Sequence, residues 1–204
     1  DASDPTILQI IHHAHVELAR FCNDVSTAQE HAAKMDLLGQ RHSFPYFHAV
    51  AANCRGIVKG MAQNDAGAIT DFAEALSLVR SGGVAREHET EILANIAECH
   101  RRLGNARAAL DYARETISLS QSRTTRLAEC RALITAAAAM LELNEPALVP
   151  ASGQALASAR VLLDVTGGQL YEAEFASVVA RWIRIGYDAR SPESVTSSAA
   201  GPAG

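Results

Sequence analysis

His12, His13 and His15 are the densest group of metal-ligating residue types in this sequence of 204 residues. On a helix His12 and His15 share a face through their i, i+3 spacing, which lets two imidazoles approach one zinc ion. A third ligand is missing nearby in sequence, and no metal site is read from the cluster. Glu87, Glu89 and Glu91 alternate just ahead of an apolar helical pattern, where carboxylates favour the positive end of the helix dipole. Their expected place is a solvated first turn rather than acid–base catalysis. Cys22, Cys54, Cys99 and Cys130 lie far apart with no CxxC pair, the pattern of reduced thiols buried in helices. The sequence holds no G-x-S-x-G, no Walker loop and no H-E-x-x-H. No catalytic residue, metal ligand or cofactor is therefore assigned, and this chain is not expected to be an enzyme.

Composition says what must carry such residues. The chain is 48% hydrophobic but only 5% aromatic, and alanine supplies much of the apolar share. Alanine-lined helices approach closely, whereas a sandwich or barrel would ask for more Val, Ile, Tyr and Phe, so the class is all-α. A formal charge of -5 with interspersed signs offers no footprint for phosphate backbones or anionic lipid, so nucleic acid and membrane are not expected partners. The longest apolar run, Ala136 to Leu141, is far short of a membrane span. With no leader pattern at its start, the chain is expected in the cytoplasm. Its opening Asp1-Ala2-Ser3-Asp4-Pro5, without an initiator Met, suggests a piece of a longer polypeptide. Residues 191–204 are Ser, Ala, Gly and Pro with little bulk, and a flexible tail or linker is expected there, after a folded region over 1–190.

Self-similarity organises the rest. Asn23, Asn64, Asn105 and Asn144 are spaced by 41, 41 and 39 residues by subtraction, each where an apolar helical pattern breaks. Asparagine both tolerates the left-handed backbone at a helix end and caps the next helix, so one residue is expected to serve each tight turn. Ala28, Ala68 and Ala109 form one aligned column, and Leu38, Leu78 and Leu119 another. The alanines suit helix crossings and the leucines the space between neighbouring hairpins. The periodicity predicts helix pairs at about 6–22 with 25–41, 46–62 with 65–80, 87–103 with 106–121, and 125–143 with 147–164. A ninth helix, about 169–187, follows Gly167-Gly168 and should cover the last apolar edge with Leu170, Phe175, Val178, Val179, Trp182 and Ile185. Pro45, Pro146 and Pro192 fall at helix boundaries, and Gly82-Gly83 separates the second and third pairs.

The third copy, with Leu93, Ile96, Ala97, His100, Gly104, Asn105, Ala109, Leu110, Ala113 and Ile117, resembles the tetratricopeptide consensus. The second keeps Gly56, Ala68, Ile69, Phe72, Ala75 and Leu76, the first Ala28 and Ala32, and the fourth Ala136 and Ala137. The step near 40 exceeds the usual tetratricopeptide length of about 34, so the helices should be longer. Stretched repeats of this kind resemble the C-terminal arrays of bacterial signalling proteins that carry a nucleotide cyclase or DNA-binding domain and an ATPase. His42-Ser43-Phe44-Pro45-Tyr46, followed by Ala49, Gly56 and Gly60, prompts that comparison.

The resemblance implies a right-handed α-solenoid of about four antiparallel helix hairpins plus a C-terminal capping helix, acting as an interaction scaffold. The partner would be a protein or peptide, or another domain of the same polypeptide, held in a groove lined by the first helix of each hairpin. The groove candidates it implies are Asn53 and Ile57, then Glu91, Asn95, Glu98 and Arg102, then Arg131 and Thr135. Asn95 and Arg131 would suit a peptide carboxylate. The Lys and Asn pair that carboxylate-clamp members place one repeat earlier is replaced by Asn53 and Ile57, which disfavours a receptor for chaperone tails. Self-association as a homodimer and a small-molecule or metal sensor are the other two readings.

Overall fold

The computed structural model describes residues 4–188, and the predicted tail at 191–204, with Pro192, lies outside them. Among the described residues there are nine α-helices and no strand. They are α1 (Pro5–Phe21), α2 (Val25–Arg41), α3 (Pro45–Met61), α4 (Asp65–Gly82), α5 (Glu89–Arg102), α6 (Ala106–Arg123), α7 (Arg126–Glu142), α8 (Val149–Thr166) and α9 (Glu172–Asp188). Each helix packs on the next in sequence, and the odd-numbered helices α1 with α3, α5 with α7 and α7 with α9 also touch. Even-numbered helices do not meet each other to that extent.

Three helices start later than periodicity alone places them, and one cause serves all three. Short 3₁₀ turns at Arg86–His88, Pro146–Leu148 and Gln169–Tyr171 precede α5, α8 and α9 and carry the same helical side-chain pattern. The turns also divide the labour expected of single asparagines. Asn23 and Asn144 adopt positive φ (both 53°), but the side chain that caps α2 is the following Asp24, which accepts from Thr27 N at 3.0 Å. In the second copy the roles reverse: Gln63 takes the left-handed conformation, and Asn64 caps α4 by accepting from Gly67 N at 3.1 Å. Gly104 takes it ahead of Asn105, which makes no capping bond through its side chain. A left-handed residue has finished one helix when the cap of the next must already be extended, so two adjacent positions share the work.

Packing follows the small residues. Ala28, Ala68 and Ala109 are fully buried, whereas of the leucine column only Leu38 is buried and Leu78 and Leu119 are half-buried. Gly56 lets α3 close on α4: a Cβ there would lie 2.5 Å from Cε1 of Phe72. The most enclosed helix is α7, where Ala132 through Leu141 are all buried, because α5, α6, α8 and α9 surround it. No described helix is long and apolar enough to cross a membrane. On α9, Val178 is buried and Phe175, Val179, Trp182 and Ile185 pack with it against the α7–α8 cluster. Leu170 does not join them, because the 3₁₀ turn before α9 leaves it exposed.

Candidate functional site

A cleft of about 320 Å³ opens where α1, α3, α5 and α7 come together, lined among others by Arg20, Ile57, Asn95, Arg102 and Arg131. Asn95 sits in the middle of α5, a helix bearing apolar residues on its packed sides, so its amide is buried. Its Oδ1 accepts from Arg20 Nη1 at 3.0 Å and from Arg131 Nη1 at 2.6 Å, joining the first helix to the seventh. The amide nitrogen of Asn95 and Nε of Arg20 are buried with no partner in the protein. Arg102 ends α5 and reaches back to α4, donating through Nε to Asp65 Oδ1 at 2.9 Å. The guanidinium groups of Arg20, Arg102 and Arg131 thus border one cleft, an arrangement that accepts a carboxylate or carbonyl.

Next to the cleft lies a second group of polar side chains. Asn53 Nδ2 donates to Glu91 Oε1 at 3.1 Å, and Glu17 pairs with Arg20 at 2.5 Å. His13 Nε2 and His88 Nδ1 each lie 3.8 Å from Glu91 Oε2. Burial, and then the Glu91 carboxylate beside it, pushes Glu17 up to about 8, more than Arg20 offsets. Burial acts on Glu91 in the same sense, but His88, His13, Glu17 and Arg20 beside it outweigh it and hold Glu91 well below the carboxylate range. Burial lowers His13.

Of the residues expected in a groove, Ile57, Asn95, Arg102 and Arg131 line this cleft, and Asn53 and Glu91 belong to the neighbouring polar group. Thr135 is buried within α7, and Glu98 is paired with Arg101 at 2.8 Å. Of the glutamates expected in a solvated first turn, Glu87 is exposed, but Glu91 is half-buried and Glu89 is buried and held by Arg80 at 2.8 Å and Arg123 at 2.7 Å. The turn folds inward because arginines on α4 and α6 reach it from both sides. Cys22 is exposed, unlike the other three cysteines, because it caps the end of α1.

Arg20, Glu17 and His13 complete the site from a helix to which the sequence assigned no groove residue. The signal was there: Gln9, His13, Glu17 and Arg20 step by 4, 4 and 3 along α1, a polar stripe facing inward beside buried Val16 and Ala19. His12 and His15 lie off that stripe, against His31 of α2, with His12 Nδ1 3.0 Å from His31 Nδ1. No protein-family model matches the chain, and no curated protein matches it closely enough to be called a relative.

Proposed function

We propose that this protein is an interaction scaffold built as a solenoid of tetratricopeptide-like helix hairpins, whose inner cleft holds an acidic or carboxylate-bearing segment of a partner. The observation that carries the reading is the convergence of the Arg20 and Arg131 guanidinium groups on Asn95 at one open cleft between the first helices of successive pairs. Contact among odd-numbered helices supports an inner surface of the kind such solenoids use. The resemblance of the repeats to those of multidomain bacterial regulators makes the partner a protein, or another domain of the same polypeptide, in a cytoplasmic signalling context. Arg102 contributes less than its place suggests, since Asp65 already neutralises it.

The test is an array of immobilised peptides ending in free or amidated C-termini, probed with wild type and Arg131→Gln. Acid-rich or free-carboxylate peptides should be retained by wild type and lost, by about tenfold or more, in the variant. Retention without preference for charge, or equal retention by both proteins, would remove the cleft from consideration.

A second reading, self-association, has its own observation. Ile7, Ile10, Ile11, Leu18 and Phe21 stand exposed along one side of α1, with Ile10 at 58% and Leu18 at 59% exposure. Residues at such helical spacing form a continuous apolar stripe that a second copy would cover.

A further inference from the structure

We propose that His13, His88 and Glu91 form a binding site for a divalent transition-metal ion of the zinc type. One donor atom from each of the three lies within 4.8 Å of the other two. Zinc bonds of about 2.0–2.1 Å put tetrahedral donors about 3.3 Å apart. The two His–Glu91 separations of 3.8 Å therefore need to close by about 0.5 Å, and the His13–His88 separation, within 4.8 Å, by up to about 1.5 Å. Two imidazoles and one carboxylate are a donor set suited to zinc rather than to calcium or magnesium, which take oxygen. The fourth position is left to water or a ligand.

The elements hold these donors firmly. His13 comes from the inward-facing polar stripe of α1. His88 and Glu91 come from the start of α5, aimed by the 3₁₀ turn that follows Ala85, itself buried at a φ of 52°. Asn53 Nδ2 bonds the other oxygen of Glu91 at 3.1 Å and orients that carboxylate, the outer-shell support that a ligand of this kind needs. His13 Nε2 is buried without a hydrogen bond, so a donor position faces Glu91 unused. An opening of about 560 Å³ reaches Glu91, bordered by Glu17, Glu87 and Tyr171 and also by Arg20, Arg126 and Arg131. Of the arginines nearby, Arg20 lies 2.5 Å from Glu17 and Arg131 donates to Asn95 Oδ1 at 2.6 Å.

The experiment is calorimetric titration of the whole chain with zinc chloride, comparing wild type, His13→Gln, His88→Gln and, as a control for the other histidine cluster, His12→Gln/His15→Gln. One zinc per chain is expected. Its affinity should fall by about 100-fold or more in either single variant and hold in the control. Because a substitution at half-buried His13 could loosen the fold, zinc is also titrated into wild type while histidine ring resonances are followed by NMR. Shifts at His13 and His88 support the site. Binding lost only in the control, ring shifts confined to His12, His15 and His31, or no saturable binding would each overturn it.

Discussion

Arg102 and Asp65 illustrate how a charge can stand at a cleft and still be spoken for. Asp65 is buried at the start of α4, and the guanidinium supplies its compensating charge. Arg102→Glu should therefore destabilise the fold by about 1–3 kcal/mol, far more than an ordinary surface change, with most of the loss recovered when Asp65→Asn is added. Chemical denaturation of the single and double variants measures this; a single variant as stable as wild type would mean that the pair is solvated. The thiols give a second prediction at this scale. Burial pushes Cys99 up to about 12 and Cys130 to about 11, and raises Cys54 well above the usual range, while Cys22 is exposed. Since the thiolate is the reactive form, a thiol reagent at pH 8 should label Cys22 alone in the native protein and all four cysteines after unfolding. Mass spectrometry of the labelled chain checks the count.

Helices here meet at their smallest residues, so the sensitive substitutions are additions of bulk. Ala109 is fully buried on α6, and Ala109→Leu should cost about 1–3 kcal/mol because the added isobutyl group has no space at the crossing. A variant melting with the parent would put Ala109 on the surface. At the last element, a Cβ on Gly153 would lie 2.7 Å from Cζ2 of Trp182, whose Nε1 donates to Val149 O at 3.0 Å. Gly153→Ala must push the indole off α8. The emission of Trp182, the sole tryptophan, should then shift to the red and α9 should lose protection from hydrogen exchange, while α3 and α4 stay unchanged.

For the molecule as a whole, the exposed stripe on α1 decides the oligomeric question. Should two copies pair through it, sedimentation across a hundredfold concentration range will show a dimer that Ile10→Asp/Leu18→Asp converts to monomer with the fold intact. A wild type that is monomeric throughout excludes that pairing. The acidic-peptide test at the cleft is independent of this outcome, since the stripe and the cleft use different residues of α1.

How far the sequence reaches depends on the range of the interactions involved. Helix number and type were legible because apolar periodicity is a local signal: α2 and α3 begin and end within one residue of where the pattern puts them. The alanine column was legible as buried because only a methyl suits a repeated crossing. Asn95 and Arg131 were singled out only through the family resemblance, as candidates to hold a peptide carboxylate, and the hydrogen bond between them was not legible. Tertiary structure alone decided the rest. His13 and Glu91 are 78 residues apart by subtraction, and nothing in the spacing of either helix says that their faces meet. The same holds for Arg20, whose partner Asn95 lies two helix pairs away. Periodicity fixes which residues of a helix turn inward, whereas the angle at which successive helices stack fixes which inward-facing charges touch, and that angle is set by packing across the entire chain.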